Sequence, residues 1–473
     1  MAGIIAFFIR SNTWRRALLV TTASVHLVFS FYLGAIKPIK AGWIGTDSLS
    51  VIFLVTVSLM FFAAAVYSIF YLTADRHHEP ENASRYLSST PESIYTGCML
   101  LLLSTMTLAV TARHFALQWV SIEATTLASA PLIYFHRSSR SLEAAWKYLI
   151  ICSVGIAIAL MGLFFLRMTS PKVSEFTVDA FVAAGSSLDK KWLSAAFIII
   201  LVGYGTKMGL APLHTWLPDA HSEAPAPVSA LLSGALLNCA FLGIMRVHQV
   251  ANAGGIGVMA SELLVMFGIF SIGLATVFIL RQPDFKRLLA YSSVENMGII
   301  ALGVGVGGGA VFGGLFHAVN HSLVKVALFL AAGNILARYG TRESSKVRGL
   351  ASIMPTTAFI WTMGLIAITG TPPFGTFMSK FTILKTMTAK GMWSLTAFFM
   401  AFLVIIFAAM SYIVLKMVFT PPPPEMPEKP ERTLSWIMPV ILLVTALAAG
   451  IYMPEIVRNH LEQASALFGG GLK

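Results

Sequence analysis

Residues Gly203–Arg246 read GYGTKMGLAPLHTWLPDAHSEAPAPVSALLSGALLNCAFLGIMR and join two apolar runs through a cluster of prolines. The first run begins at Ala195 and carries Lys207, and the second contains one amide, Asn238. Because proline removes a backbone donor and interrupts a helix, we expect the first run to be a membrane helix that breaks near its middle. A cation inside a membrane span costs several kcal/mol unless it is paired or hydrated. The sequence therefore assigns Lys207 to an ion path through the membrane.

The composition excludes an ordinary soluble protein. Of the 473 residues, 56% are hydrophobic and only 11% are charged, whereas about a quarter of the residues in soluble domains are charged. Apolar runs of about 20 residues recur along the chain, as in helices that cross a bilayer. We therefore predict an all-α polytopic membrane protein that forms a single integral membrane domain over residues 1–473. We place 13 spans, with a fourteenth allowed, near residues 15–36, 48–73, 94–112, 114–135, 142–167, 193–222, 226–248, 258–280, 287–306, 310–337, 350–388, 394–418 and 433–453.

The net charge of +12 indicates membrane topology rather than binding to nucleic acid, because the basic residues stand in short loops between spans. The segment Met1–Val20 lacks a small-residue cleavage site, which predicts a retained first helix. Cations concentrate on the side of the N-terminus, which predicts a cytoplasmic N-terminus and an external C-terminus in the cell membrane. That side holds Arg10, Arg15, Arg16, Arg76, Arg85, Arg137, Arg140, Arg281, Lys286, Arg287, Arg338, Arg342, Lys346, Arg348, Lys416, Lys429 and Arg432, and the other side holds Lys37, Lys40, Lys172, Lys190 and Lys191.

The sequence predicts no cofactor, metal or nucleotide in this chain. Cys98, Cys152 and Cys239 are isolated, and no CxxC, HExxH or Cys/His cluster is present, which argues against iron–sulfur, zinc and haem sites. The glycine-rich run Gly303–Gly309 joins two apolar segments without a βαβ context, so nucleotide binding there is not expected.

Two proline-interrupted segments echo one another. LAPLHTWLPDA at Leu210–Ala220 and TGTPPFGTFMSKF at Thr369–Phe381 each lie in an apolar run beside a lysine, Lys207 or Lys380. Matching broken helices are typical of inverted repeats with the functional site at the breaks. We predict one five-helix repeat over 94–248 and a second, inverted repeat over 258–418. A proline-rich connector follows at 421–430, and a C-terminal helix at 433–453.

Two carboxylates stand near lysines in the first half. Glu123 lies about ten residues from either end of its apolar run, a depth at which it needs a cation or a proton. We predict that it is the acidic partner of Lys207, in preference to a purely structural ion pair. Glu143 and Lys147 are four residues apart near a helix start, which suits a solvated pair as well as a transport role.

The second half carries a stripe of basic side chains. His317, His321 and Lys325 are spaced four and four, so they follow one helix face with about 6 Å of rise between neighbours. Histidine exchanges protons near neutral pH, and we interpret the stripe as a relay rather than as core packing. Lys380 follows the second break and has the same predicted role. Glu295 is placed near a span start, where a carboxylate can also simply complement the helix dipole.

His214, Asp219, His221 and Glu223 flank the first break. They line a half-channel or merely cap the broken helix ends, and the sequence leaves both interpretations open.

The blocks Lys207–Gly234, Asp284–Gly298, Phe316–Ile335 and Thr369–Phe381 resemble, in order, those of the antiporter-like membrane subunits of the complex I superfamily. That family includes the M and N subunits of NADH-quinone oxidoreductase, the D-type subunit of the Mrp sodium/proton antiporter and subunits of membrane-bound hydrogenases. The resemblance covers roughly Asp47 to Met417. It is greatest to the F-type subunit of hydrogenase-4 and formate hydrogenlyase, through LLNCAFLGIMR, the glutamate of SSVEN and AAGNILARYGTRE.

The resemblance implies that Glu123 and Lys207 are the paired groups of the first half-channel. It likewise implies that His321 and Lys325 lie on the central axis and that Lys380 is the exit residue. This sequence departs from the family in three ways. Asn238 stands where many members have a lysine, so the halves would connect through water or His248. Asn296 replaces a common histidine. The N-terminus is one helix short of the usual 14.

The favoured function is therefore proton translocation by one subunit of a hydrogenase-like or NADH-quinone oxidoreductase-like complex. Separating Glu123 from Lys207 would favour release of the lysine proton to the next group. Because this chain holds no redox centre, the driving energy has to come from partner membrane subunits and a peripheral redox arm that carries the metal centres. Three alternatives remain, namely a subunit of a sodium/proton antiporter, a stand-alone secondary transporter for an organic solute and a scaffold that has lost conduction. Sodium prefers oxygen-rich sites, and a stripe of titratable residues does not suit an organic solute.

Overall fold

The computed structural model describes residues 1–36, 38–75, 91–171, 173–423 and 431–469, and most of them are helical. The first helices are α1 Ala2–Phe8, α2 Asn12–Ala35, α3 Ser48–Asp75, α4 Pro91–Thr111, α5 Phe115–Ile133, α6 Ser139–Met168, α7 Val178–Ala184, α8 Lys190–Met208, α9 Leu217–Glu223 and α10 Ala226–Ala253. They are followed by α11 Gly257–Ile279, α12 Phe285–Val306, α13 Gly309–Tyr339, α14 Leu350–Ile353, α15 Pro355–Thr369, α16 Gly375–Ala389, α17 Trp393–Phe419, α18 Thr433–Ile451 and α19 Glu455–Ala466. Strands β1 Lys40–Ala41 and β2 Ile44–Gly45 form a short antiparallel hairpin.

The all-α polytopic membrane fold is confirmed. Ten of the described helices are long and apolar enough to cross a membrane. The other three predicted spans coincide with α5 and with the pairs α8/α9 and α15/α16, each pair separated by a break. The structure adds the short helices α1, α7 and α19, which we did not predict, and it separates α14 from α15 at the start of the predicted span 350–388. Lys37, Arg76, Arg85, Lys172, Lys429 and residues 424–430 of the predicted connector lie outside the described residues.

Three helices form the centre of the molecule. An 18-residue stretch of α10 is buried throughout, and 94% of the corresponding stretch is buried in both α12 and α13. In α2, α17 and α18 the buried share falls to between 17% and 28%, so these helices turn apolar side chains outward, as expected against lipid. Three of the six predicted path residues, His317, His321 and Lys325, therefore lie on a helix that the rest of the chain encloses.

Both predicted breaks are present. Helix α8 ends at Met208 and the chain resumes helical structure at Leu217, while α15 ends at Thr369 and α16 begins at Gly375. The residue after each first segment is a glycine with positive φ, Gly209 at +83° and Gly370 at +84°. Only glycine adopts this left-handed conformation at little cost, and it commonly ends helices. The inverted relation between the two five-helix repeats stays a prediction.

A π-helical segment interrupts α10 at Leu232–Leu236. Such segments insert one extra residue into a helix and are frequent at functional sites. Asn238 follows directly, and its Nδ2 donates to the carbonyl oxygen of Gly234 at 3.1 Å. The Asn238 side chain is therefore hydrogen-bonded to a carbonyl oxygen of the π-helical segment.

Consecutive spans run in opposite directions, which defines two faces of the molecule. We call the side on which α2 begins the Arg10 face and the side on which α2 ends the Lys390 face. Backbone bridges fit this assignment, since Asp284 pairs with Glu343 on the Arg10 face and His114 pairs with Thr177 on the Lys390 face.

An ion network clamps the helices together at the Lys390 face. Asp47 accepts hydrogen bonds from Arg246 at 2.6 and 2.7 Å and from Arg113 at 3.1 Å. Arg113 also pairs with Asp179 at 2.5 Å. Burial alone would raise the pKa of the Asp47 carboxyl, but the charges of Arg246 and Arg113 and the hydrogen bonds hold that pKa well below its ordinary range. The network therefore joins the start of α3 to α10 and to the loop before α5.

We expect Asp47→Asn to destabilise the protein by about 3–5 kcal/mol, because it leaves the fully buried Arg246 without its partner. Since the folded-state pKa of Asp47 is lowered, its contribution is complete above pH 5 and disappears only in strong acid. Thermal unfolding in detergent between pH 5 and pH 8 should show a constant difference from the wild type. Asp179→Asn is the control, because Asp179 is 49% exposed and Arg113 keeps Asp47. Equal losses in the two variants would contradict this account.

Candidate functional site

Lys207 is enclosed in the last turn of α8, directly before the first break, and is 1% exposed. Its Nζ donates to Thr126 Oγ1 at 2.8 Å and to the Tyr148 hydroxyl at 2.6 Å. The ammonium also lies 4.6 Å from the centre of the Tyr148 ring, a distance at which the ring attracts a cation. Hydroxyl groups and an aromatic face thus hold this lysine.

Glu123 does not contact Lys207 directly, and Thr126 stands between the two predicted partners. One Glu123 oxygen accepts from Ser153 Oγ at 2.8 Å, and the other accepts from Thr126 Oγ1 at 3.4 Å. The physical reason is helical spacing, because Thr126 follows Glu123 by three residues on α5 and places its hydroxyl beside both groups. Lys207, Thr126 and Glu123 therefore form a hydrogen-bonded series that ends on a half-buried carboxylate.

The second half does contain a buried ion pair. Lys380 Nζ lies 3.4 Å from Glu295 Oε1, and the two side chains are 6% and 1% exposed. Lys380 also donates to the carbonyl oxygens of Ile368 and Thr369 at the second break, at 3.2 and 3.3 Å. Glu295 lies ten residues inside α12 rather than at its start, so it does not complement the helix dipole.

His317 connects this pair to its surroundings. Its Nε2 is hydrogen-bonded to Asn296 Oδ1 at 2.8 Å and its Nδ1 to Ser379 Oγ at 2.7 Å. Asn296 in turn donates to Glu295 at 3.3 Å. The amide that replaces a common family histidine thus joins His317 to the carboxylate.

The centre of the site holds basic groups with few partners. Lys325 is fully buried and its Nζ donates to the carbonyl oxygen of Leu289 at 2.6 Å. Both ring nitrogens of His321 lack a hydrogen-bond partner among the described residues, and so does Nε2 of His221. A buried polar atom without a partner is costly, and such atoms in native proteins mark sites of proton exchange or solvent.

A direct polar contact links the halves. Asn238 Nδ2 donates to Ser322 Oγ at 2.8 Å, and Ser322 stands next to His321 on α13. His248 lies away from this central link, and its own contact between the halves is near the Lys390 face. It follows Asn238 by ten residues, about 15 Å along α10, and its Nε2 is 3.3 Å from Ser261 Oγ near the Lys390 face.

Glu143 and Lys147 form an exposed pair with 2.6 Å between Nζ and the carboxylate, and Lys147 also contacts Asp219 at 3.0 Å. Asp219 further contacts Arg287 at 2.5 Å. These four residues are a surface network on the Arg10 face, in agreement with the solvated alternative for Glu143 and Lys147.

The remaining residues around the first break separate into two groups. Glu223 pairs with Arg342 at 2.5 Å on the Arg10 face. His214 and His221 instead are 5% and 0% exposed, and His214 lies beside the rings of Phe278 and Tyr291. The two histidines, and not the two carboxylates, face the interior.

Sequence reasoning missed one buried lysine and two hydroxyl groups of the site. Lys286, which we counted among the loop cations, is 1% exposed and donates to the carbonyl oxygens of Ser222 and Ala224 at 2.9 and 2.6 Å, where it caps α9. The hydroxyls of Thr126 and Ser322 were also missed. Their sequence signal is their spacing, since Thr126 follows Glu123 by three residues and Ser322 directly follows His321.

Comparison with known proteins completes the description. The profile of the family described as NADH:quinone oxidoreductase/Mrp antiporter, TM, matches residues 112–406. The hydrogenase-4 component F homolog of Methylacidiphilum infernorum is 36% identical over 465 residues, which cover 97% of this chain and 95% of that protein. The N subunit of the NADH-quinone oxidoreductase of Desulforudis audaxviator is 30% identical over 73% of this chain and 72% of its own length.

Solved structures show the same fold. A chain of the membrane-bound sulfane sulfur reductase, an archaeal respiratory membrane complex, superposes with a TM-score of 0.85 at 21% identity. The superposition covers 99% of this chain and 96% of that one. At this identity the likeness establishes the architecture only.

Proposed function

The chain belongs to the NADH:quinone oxidoreductase/Mrp antiporter transmembrane family, and on that premise we propose that it translocates protons as one subunit of a membrane redox complex. The complex would be of the hydrogenase-4/formate hydrogenlyase or the NADH-quinone oxidoreductase type. The observation that carries the proposal is the set of buried titratable side chains that runs from Lys207 on α8 through Glu295 on α12 and His317, His321 and Lys325 on α13 to Lys380 on α16. Ionisable groups inside a membrane protein are rare and mark ion pathways.

The proposed path has four segments, and the first, second and fourth follow contacts described above. A proton passes between Glu123 and Lys207 through Thr126. Asn238 and Ser322 join the first half to the centre. His321 and Lys325 exchange the proton at the centre, since histidine both accepts and donates near neutral pH. His317, Asn296 and Glu295 then lead to Lys380, which completes the list of path residues Glu123, Lys207, His317, His321, Lys325 and Lys380.

A neighbouring subunit would drive the path through Glu123. This carboxylate is half-buried between Val120 and Leu127, which are 50% and 62% exposed. A carboxylate at mid-membrane depth needs polar or protein cover, so we infer that another membrane subunit packs on this surface. Electron transfer in a peripheral arm with metal centres would move that contact and change how strongly Glu123 holds the proton on Lys207. The absence of a cofactor from this chain stays a prediction.

We further infer that the N-terminus is cytoplasmic and that the chain resides in the cell membrane. The support is the larger number of loop lysines and arginines on the Arg10 face. Protons rather than sodium are the transported ion, because the path consists mainly of lysine and histidine, whereas sodium prefers oxygen ligands. The purified complex in proteoliposomes should acidify the lumen equally well with and without sodium. A strict sodium requirement would favour the antiporter alternative.

Thr126→Val tests the first segment of the path. The change keeps the shape of the side chain but removes the hydroxyl that joins Lys207 to Glu123, so proton pumping should fall by about tenfold or more, as expected for loss of a proton-transfer group. Thr125→Val is the matched control, because Thr125 is equally buried and donates only to the carbonyl oxygen of Ile122 at 2.7 Å. The measurement is the initial rate of pH-dye quenching in proteoliposomes. Equal rates for the two variants would exclude the hydroxyl from the path.

A further inference from the structure

His248 is a buried histidine that the path described above does not use. It lies five residues before the end of α10, near the Lys390 face, and is 2% exposed. One ring nitrogen, Nε2, is 3.3 Å from Ser261 Oγ on α11. The other, Nδ1, is buried and has no hydrogen-bond partner among the described residues. The ring therefore has one nitrogen directed to a hydroxyl and one free to exchange a proton.

Ser261 lines a recess that opens at the Lys390 face and has a volume of about 770 Å³. Its wall includes Glu262, Lys390, Gly307 and Phe468. Glu262 and Lys390 are exposed, and Lys390 Nζ donates to the carbonyl oxygen of Val306 at 2.5 Å. A recess with a carboxylate and an ammonium on its wall admits water and protons. His248 is thus one hydroxyl away from the aqueous side.

On the inner side of His248, a tyrosine lies between it and Lys207. Tyr204 precedes Lys207 by three residues on α8, about 4.5 Å nearer to the Lys390 face. It is 1% exposed, and its hydroxyl is buried with no partner among the described residues. The ring packs against α10 at Gly243, where an added Cβ would come within 2.9 Å of it. Gly243 is followed by His248 after five residues, about 7.5 Å along the same helix.

We propose that Tyr204 and His248 form a side branch of the proton path, which connects Lys207 with the recess at the Lys390 face. The branch rests on the proposed function, because it has a role only if Lys207 carries protons. A proton reaching Nδ1 makes the ring positive, and the proton on Nε2 then leaves to Ser261 and the water of the recess. Rotation or tautomer exchange of the ring restores the starting state. The branch requires a bridging water in the interval between the tyrosine hydroxyl and the histidine.

The C-terminal segment covers this branch. The Phe468 ring stacks on the His248 ring with 5.5 Å between centres and 19° between planes. Phe468 follows α19, which is fastened by His460 to the carbonyl oxygen of Gly34 at 2.9 Å and by Gln463 to Ser48 at 2.6 Å. Phe468 therefore separates His248 from the recess except through Ser261. A core histidine without function would be covered in the same way, so the test has to distinguish the two.

The first arm of the test measures access of water. Ser261→Cys should react with a membrane-impermeant thiol reagent added on the Lys390 side of the assembled complex in vesicles. The native Cys98, Cys152 and Cys239 are buried, so the parent chain gives the background. Ser271→Cys, fully buried on the same helix, should stay unreactive. The His248→Cys/Phe468→Ala double variant should react at least about tenfold faster than His248→Cys alone, because the Phe468 ring covers position 248. Unreactive Ser261→Cys would overturn the branch.

The second arm measures proton pumping by the same complex. Tyr204→Phe removes only a hydroxyl without a hydrogen-bond partner among the described residues, so it should keep the fold, and His248→Gln keeps a polar side chain. Each should lower the pumping rate by at least about tenfold, as for loss of a proton-transfer group. His114→Gln is the control, because His114 lies at the same face, stacks on Trp43 at 4.5 Å and also has an unpartnered Nδ1 in the described part of the chain. It should pump normally.

Different outcomes would overturn the side branch and the proposed function. If Lys207→Ala stops pumping while Tyr204→Phe and His248→Gln pump at the wild-type rate, the branch is overturned and the proposed function stands. If Lys207→Ala and Lys325→Ala both pump normally, the proposed function fails and the branch fails with it. Loss of pumping in Tyr204→Phe and His248→Gln, with normal His114→Gln, supports the branch.

Discussion

Lys207→Ala and Lys325→Ala should each abolish proton pumping by the assembled complex and leave its assembly intact. Each lysine is the cation of one half of the path, and each is held by uncharged groups. Lys207 donates to Thr126 and Tyr148, and Lys325 donates to the carbonyl oxygen of Leu289. Because neither lysine has a carboxylate in direct contact among the described residues, its removal breaks no direct ion pair, and the large stability loss that follows from breaking one is not expected.

The measurement compares pumping in proteoliposomes with the amount of intact complex on native gels. Lys385→Ala is the control, because Lys385 is an exposed lysine on α16 and its removal should change neither quantity. Normal pumping in both path variants would refute the assigned path. Loss of the complex from the gel in both variants would show that the lysines hold the structure rather than the proton.

Glu295→Gln and Lys380→Met should each stop pumping and lower stability, whereas the double variant should regain stability without regaining pumping. The two side chains form a buried pair at 3.4 Å. Removing one partner leaves an uncompensated charge, which costs about 3–5 kcal/mol, while removing both leaves no charge to compensate. A double-mutant cycle separates the role of the pair in stability from its role in transport.

Thermal unfolding of the purified complex measures the stability of each variant, and dye quenching in proteoliposomes measures its rate of proton pumping. The exposed pair Lys147–Glu143 provides a matched cycle, since its side chains are 45% and 64% exposed and an exposed pair contributes at most about 1 kcal/mol. Recovery of pumping in the Glu295→Gln/Lys380→Met double variant would show that the pair is structural only.

Much of the architecture follows from the sequence because it depends on local chemistry. The apolar runs predict helices, and the prolines in Leu210–Ala220 and Thr369–Phe381 predict where two of those helices break. The spacing of His317, His321 and Lys325 predicts that they share one face of a helix, and the structure places all three on α13 with their side chains buried. These features require no knowledge of which helices are neighbours.

The contacts between helices could not be predicted in the same way. Lys380 and Glu295 are 85 residues apart in sequence, so their pairing depends on how α16 packs against α12. The insertion of Thr126 between Glu123 and Lys207 depends on the rotation of α5. His248 meets the second half at Ser261 near the Lys390 face rather than beside Asn238, because α10 continues as a helix beyond Asn238.

The enclosure of α10, α12 and α13 gives the molecule two layers with separate duties. The outer helices, such as α2, α17 and α18, meet the hydrocarbon and adjust the protein to the thickness of the surrounding bilayer. The inner helices hold the central residues Glu295, His317, His321 and Lys325 away from lipid, so the outer layer acts as a sheath that insulates this part of the path. Substitutions among apolar residues of the sheath can therefore follow changes in membrane composition, while the conducting residues stay as they are.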